Sequence, residues 1–424
     1  MTPRKINIGI VGAGLAGLSC AHYLEKLGYS PVIFEKDTEI GGRCRTDIYE
    51  GYLLDRGFQV LLSSYAEVKK IVRIYEMDVK PFPSGATVYD GNQWYPLYNP
   101  LKHPFSIFEL RNIPFAYFAD YVKMGSIYIK SSFRTGSPFF RSIGKTTMDF
   151  WKEEKLSEPF INKFLRPFFA GVFLDTEMTV NPGIFQWLLH FFVEGSAVLP
   201  RKGMGYIPKA FAETLKKTDI RLNQPVKALE GKTIYLDNHQ EFKCDKIVVA
   251  LDAPQAKALF PTLPELKSKS TSTLYFAIDT AAFSNTPSSL LHLNGTSDGP
   301  INNLAFPSLV QPSYSPKGKI LASASIVSTE WQNNPNLIQA AKEQLSSWFK
   351  IPVDKWELLK RYTIPHALPD QKDPPPLQGN YAIGRSPDIY ICGEYTDNAS
   401  LNGACASGRK AAEALHASLT EKGF

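Results

Sequence analysis

Near the start of the chain, Gly12-Ala13-Gly14-Leu15-Ala16-Gly17 sets three glycines at the spacing G-x-G-x-x-G, and Glu35 closes the next β-branched run, Pro31-Val32-Ile33-Phe34. Each glycine has a task. Gly12 permits a tight turn, Gly14 lets the backbone approach a pyrophosphate, and Gly17 lets a helix pack against a strand. A helix beginning there aims free N–H groups and its positive dipole end at the phosphates. Glu35, followed by Lys36, can accept hydrogen bonds from ribose hydroxyls and repels a 2′-phosphate, which disfavours NADP. The chemistry implied is the binding of an adenine dinucleotide. Downstream, Gly42 of a Gly41-Gly42 pair lets a loop fold back over the pyrophosphate, and Arg43 offers a planar guanidinium to a phosphate oxygen.

These residues need a strand, a turn, a helix and a second strand to hold them. Asn7 to Val11 runs apolar into the glycines, and Leu18 to Leu27 carries helical apolar spacing. The run through Phe34 completes a βαβ unit. At the other end, Asp388-Ile389-Tyr390-Ile391-Cys392-Gly393-Glu394 reads as a strand ending in a glycine and an acid, and Leu401-Asn402-Gly403-Ala404 opens a helix.

The run Gly41-Gly42-Arg43-Cys44-Arg45-Thr46, followed by Leu54-Asp55-Arg56-Gly57-Phe58-Gln59, resembles the extended GGRxxT signature of the FAD-dependent amine oxidase superfamily. That superfamily includes monoamine and polyamine oxidases, protoporphyrinogen oxidases and carotenoid desaturases. The resemblance implies FAD as cofactor, with Gly57, Phe58 and Gln59 near the flavin ring. It implies that Gly393 and Glu394 approach the ribityl chain and phosphates, and that the helix opened by Leu401, Asn402 and Ala404 points at the isoalloxazine carbonyls. Pro200-Arg201-Lys202-Gly203-Met204-Gly205-Tyr206-Ile207-Pro208 resembles the family's P-x-G-G-M-x-x-L segment, with Lys202 in place of a glycine. Pro225-Val226, with the strand Lys246 to Ala250 after it, resembles the segment whose valine backbone contacts adenine.

The fold expected is α/β: a discontinuous Rossmann-like FAD-binding domain, roughly 1–75, 200–265 and 375–424, and a substrate domain of mixed sheet plus helices, 76–199 and 266–374. The stretch Leu368-Pro369-Asp370-Gln371-Lys372-Asp373-Pro374-Pro375-Pro376 is expected to be irregular. Phe164 to Leu174 and Phe185 to Phe192 are dense in bulky rings, mostly core.

The resemblance implies an FAD-dependent oxidoreductase. Desaturase-like dehydrogenation of a bulky apolar substrate, by hydride transfer to flavin N5, is the favoured reading, with amine oxidation the alternative. True amine oxidases of the superfamily carry a lysine in the strand matching Ser272 to Phe276, but here Thr271 and Thr273 stand there, and Lys267 and Lys269 are read as preceding the strand. The aromatic that monoamine oxidases place before the last helix aligns with Ser400. Asn402 replaces a glutamate usual in phytoene desaturases. A redox-neutral flavoenzyme resembling UDP-galactopyranose mutase is the rival of another class. It needs converging arginines, whereas Arg111, Arg134, Arg141, Arg166 and Arg361 are scattered. His190, His366, Tyr362 and Tyr395 are the polar groups that could face a pocket, but no catalytic acid or base is assigned.

Composition sets outer limits. The 47 basic and 41 acidic residues of the 424 are spread without a basic block, so nucleic acid is not an expected partner. The small-molecule substrate is expected to be lipophilic. Five cysteines without CxxC spacing predict neither zinc nor a disulfide framework, and an N-terminus that runs directly into a strand predicts a cytoplasmic protein without a signal peptide. Phe105 to Ile129 is rich in aromatics but interrupted by charge, so it reads as an amphipathic helix able to touch a membrane surface, or one packed on the substrate domain.

Overall fold

The computed structural model describes residues 6–132, 144–261, 263–374 and 388–420. Arg134, Arg141 and the Pro375-Pro376 end of the irregular stretch lie outside them. Five short strands form a parallel sheet in the spatial order Asp219–Arg221, Val32–Phe34, Ile8–Val11, Lys246–Val249, Ile389–Ile391. Counted along the chain this is 3-2-1-4-5, the doubly wound order whose direction reverses beside the first strand. The inner strands and Ile389–Ile391 are near-continuous apolar runs because both sheet faces are covered there, whereas the edge strand Asp219–Arg221 exposes its two charged residues.

Helices Leu15–Lys26 and Leu401–Thr420 pack together, joined by the Ser19 hydroxyl, which donates to the Cys405 carbonyl at 2.8 Å. They touch closely because Gly408 has no side chain: a Cβ there would lie 2.2 Å from the Ala16 carbonyl oxygen. An antiparallel meander, Val226–Glu230, Thr233–Leu236 and Glu241–Lys243, contributes Ile234 and Leu236 to a core shared with Phe34, Ile247 and Val249.

A second, mixed sheet has seven strands in the order Glu357–Pro369, Ser268–Asp279, Lys319–Ile326, Asn303–Ala305, Leu291–Asn294, Gly85–Tyr89, Trp94–Tyr98. Along Ser268–Asp279 the side chains alternate between two cores. Leu274, Phe276 and Ile278 join Leu337, Ala341, Leu345 and Trp348 of the helix Leu337–Phe349, whereas Tyr275 and Ala277 join the core that contains the dinucleotide helix.

Two expectations need correction. Leu368 and Pro369 are not irregular: they end the strand Glu357–Pro369 and pair with Lys269 and Ser268. Proline is tolerated there because the strand lies at the sheet edge. Lys269 does not precede its strand but is its second residue, 3.7 Å from Asp175 and 4.0 Å from Asp370. Among the described residues all five cysteines are buried and free, no cluster of metal-ligating side chains occurs, and no helix is long and apolar enough to cross a membrane.

Candidate FAD site

The site is assembled at the carboxyl ends of the parallel strands. Gly12 adopts φ +103°, and its N–H donates to the Phe34 carbonyl at 2.8 Å, so the turn after the first strand is tied to the second. Gly17 packs against that turn so tightly that a Cβ would stand 2.1 Å from the Gly12 carbonyl oxygen. Gly14 is the opposite case. A Cβ there would meet nothing within 4 Å, and no side chain caps the helix that Gly14 begins. The geometry is a cradle of uncapped helix N–H groups with open space before it, as a pyrophosphate requires.

Glu35 is buried at the tip of its strand. Its carboxylate accepts from the Ala13 N–H at 2.7 Å and from Asp37 N–H at 3.1 Å, which leaves acceptor capacity for hydroxyls. Lys36 beside it is exposed. The Gln224 N–H donates to the Glu35 carbonyl at 2.8 Å, so the chain reaches Val226 directly after passing this tip. The Gly41 N–H donates to the Ala13 carbonyl at 2.9 Å, and Gly42 sits so that its Cβ would be 3.6 Å from Gly14 Cα. The second glycine loop thus folds over the first. Arg45 holds it there, bonding the carbonyls of Glu39 and Ile40 and pairing with Asp37 at 2.9 Å.

Arg43 and Glu394, far apart in sequence, form an ion pair, and the same guanidinium donates to the Ala367 carbonyl at 2.7 Å. Burial opposes the Arg43 charge, but the Glu394 carboxylate more than offsets it and holds the guanidinium protonated. A cavity of about 280 Å³ opens beside the pair, lined by Glu394, Tyr395, Asp397, Pro369, Asp370 and Gln371. The Gln59 side-chain amide donates to the carbonyls of Arg43 and Arg56, both at 3.0 Å, so the 57–59 loop is fastened to the Gly-Gly-Arg turn. Gly57 has φ +93°, and the Phe58 N–H donates to Thr273 Oγ1 at 3.3 Å. The C-terminal helix begins with the Ser400 hydroxyl accepting from the Gly403 N–H at 2.9 Å. Leu401 is half-buried and Ala404 buried in its first turn, and the Asn402 side-chain oxygen accepts from the Glu67 N–H at 2.9 Å.

Sequence reasoning passed over Asp55, quoted only as part of a motif. It is buried; one carboxylate oxygen accepts from Thr46 Oγ1 at 2.5 Å and from Met204 N–H at 3.0 Å, and the other from the Tyr314 hydroxyl at 2.9 Å. Burial pushes its carboxyl up to about 6, although these donors pull the other way. Asp55 therefore ties the Gly-Gly-Arg motif to the turn at Met204 and to the 3₁₀ turn Pro312–Tyr314. Asp47 nearby meets Lys360 and Tyr362, each at 2.7 Å, and Arg56 at 3.0 Å. Burial opposes its ionisation, yet these partners hold it down at about 2.

The other polar candidates do not converge on a reaction centre. His190 bonds Ser131 at 2.7 Å, His366 bonds Ser268 at 2.7 Å in an exposed position, and Tyr362 is held by Asp47. Tyr395 is buried, and its hydroxyl meets no hydrogen-bond partner among the described residues.

The family model described as flavin containing amine oxidoreductase matches residues 15–416. The L-amino-acid oxidase of Mus musculus is 33% identical over 100 residues, 23% of this chain and 15% of that protein. The coproporphyrinogen III oxidase of Bacillus subtilis is 23% identical over 184 residues, 41% of this chain and 38% of that protein. The chain thus aligns with well under half the length of either relative. A crystal structure of an oxidoreductase from Methanosarcina mazei superposes with a TM-score of 0.74 at 16% identity, covering 95% of this chain and 99% of that one, and shows the fold. The match over nearly the whole chain places this protein in the flavin-containing amine oxidoreductase family, whose members are FAD-dependent oxidoreductases.

Proposed function

We propose that this enzyme dehydrogenates a bulky, apolar small molecule in the manner of a desaturase. FAD, when bound, takes up the hydride equivalent at N5. The chain's part is to hold the cofactor and to position the substrate carbon. Segments 1–75, 200–265 and 375–424 form the FAD-binding domain in this reading. Gly12 to Gly17 and Gly42 cradle the pyrophosphate; Glu35, Lys36 and Val226 serve the adenosine end; Arg43, Glu394 and Gly393 serve the phosphates and ribityl chain. Gly57 to Gln59 with Leu401, Asn402 and Ala404 border the ring. Segments 76–199 and 266–374 supply the substrate side, and the buried free thiols suit a reducing cytoplasm.

The observation that carries the substrate class is Thr273. It is the residue that strand Ser268–Asp279 sends to the 57–59 loop, while the strand's only lysine, Lys269, is engaged with Asp175 and Asp370. A neutral hydroxyl in that position supports oxidation of a C–H bond in an apolar chain over oxidation of an amine. The test is anaerobic mixing of the oxidised holoenzyme with benzylamine, a porphyrinogen and a detergent-dispersed long polyene precursor. Bleaching of the flavin band by an extended apolar donor is expected. Rapid bleaching by benzylamine alone would overturn the reading.

A further inference from the structure

Among the described residues, eleven large apolar side chains are exposed, and seven of them lie between Leu101 and Ile129. Five of the seven lie in two consecutive elements, the 3₁₀ stretch Pro104–Asn112 and the α-helix Phe118–Ser132, and Leu101 and Tyr117 lie just before these elements. Phe105 is 82% exposed, Phe108 69% and Phe118 60%. Phe115, in contrast, is buried in the core, so the sequence alone does not say which aromatics of this stretch face outward.

The helix is turned inside out relative to a water-facing one. Phe118, Val122 and Ile129 fall at helical spacing on a single face, with only Gly125 between them, and that face is exposed. The opposite face buries Asp120, Ile127 and Ser131. Asp120 accepts from Ser157 N–H and Oγ at 2.8 and 2.7 Å and from Tyr117 N–H at 3.2 Å, and Ser131 bonds His190. These contacts fix the helix in this rotation, so the apolar stripe cannot roll inward without breaking them. A soluble surface does not keep so many rings together without a use for them.

We propose that this face docks on an anionic lipid bilayer and rests in its interface. The inference rests on the lipophilic substrate proposed above, which such docking brings within reach. Charge decides between a bilayer and a second copy of the chain. Residues 101–132 carry Lys102, Arg111, Lys123 and Lys130; Lys130 is paired with Glu154 at 3.4 Å, so three cations stand against Glu109 and the buried Asp120. A two-fold contact sets the same cations against one another, whereas anionic headgroups attract Lys102, Arg111 and Lys123 alike. Among the described residues no helix is long and apolar enough to cross a membrane, and one with its apolar residues on a single exposed face is suited to lie in the interface.

The test is co-sedimentation of the holoenzyme with phosphatidylcholine vesicles, with and without phosphatidylglycerol. The triple variant Phe105→Asp, Phe108→Asp, Phe118→Asp is compared with the control Tyr75→Asp, which alters a ring 78% exposed outside the face. Wild type and control should pellet with the anionic vesicles, and the triple variant should bind roughly tenfold less or weaker still. Equal pelleting of wild type and triple variant, or none by either, overturns the proposal. So does lipid-free dimerisation of wild type that the triple variant abolishes, since the occupant is then a second copy. Flavin bleaching by a detergent-dispersed polyene is measured in parallel. If it proceeds while wild type ignores vesicles, docking fails alone; if no apolar donor bleaches the flavin, the substrate reading fails whatever the vesicles show.

Discussion

The Tyr314 hydroxyl lies 2.9 Å from Asp55 Oδ2 and joins the 3₁₀ turn Pro312–Tyr314, which precedes strand Lys319–Ile326, to the segment that carries the Gly-Gly-Arg motif. The contact is fully buried on both sides. A carboxyl held at about 6 in the folded chain, against 3.8 ordinarily, binds its proton more tightly folded than unfolded. Its stabilising effect is complete below the ordinary value and is lost as pH rises through 6. The difference in unfolding free energy between wild type and Asp55→Asn should therefore move against wild type by about 2 kcal/mol between pH 4 and pH 7. Urea denaturation across that range measures it. A pH-independent difference removes Asp55 as a titrating group.

Asp47 carries the opposite sign. Its folded value of about 2 lies below the ordinary one, so its contribution is present above pH 4 and fades as pH falls toward 2. Asp47→Asn should destabilise the protein at pH 6 and converge with wild type near pH 2, by the same denaturation assay. Equal loss at both ends contradicts the assignment.

Gly14 and Gly17 should separate folding from cofactor binding. Gly14 has φ −73° and open space around its Cβ position, so Gly14→Val should fold with a melting temperature near that of the wild-type apoprotein yet fail to bind FAD. Gly17→Ala drives a methyl onto the Gly12 carbonyl and should lower stability by roughly 1–3 kcal/mol or more. Calorimetry of the apo forms with FAD titration distinguishes them. Full flavin in Gly14→Val means the pyrophosphate lies elsewhere.

Arg43 and Glu394 should be energetically coupled. Arg43→Ala leaves the Glu394 carboxylate, 12% exposed, without its cation, whereas the double variant with Glu394→Gln removes the stranded charge. A double-mutant cycle on the apoprotein should give a coupling of roughly 1–3 kcal/mol. Additive losses argue that the pair contributes nothing.

Local order was legible where the physics is local. The glycine turn, its helix, the β-branched run to Glu35 and the C-terminal strand and helix all carry period and punctuation in consecutive residues. The sheet partners were not legible. Gly85–Tyr89 lies parallel to Leu291–Asn294, and nothing in either run names the other. Asp55 was hidden for the same reason: Thr46 faces it across a local hairpin, but Met204 and Tyr314 come from distant places, and only their meeting marks the residue. The edge position that admits Pro369 to a strand and the core contacts that bury Phe115 are likewise tertiary facts.

The most direct measurement of the central claim is the flavin content of purified protein. The open cradle at Gly14, the acceptor at Glu35 and the folded-back Gly42 loop predict a yellow protein with near-stoichiometric flavin absorbance. Denaturation should release FAD rather than FMN, because the cradle is built for a dinucleotide. A well-folded, colourless preparation that takes up no FAD on reconstitution would contradict the account.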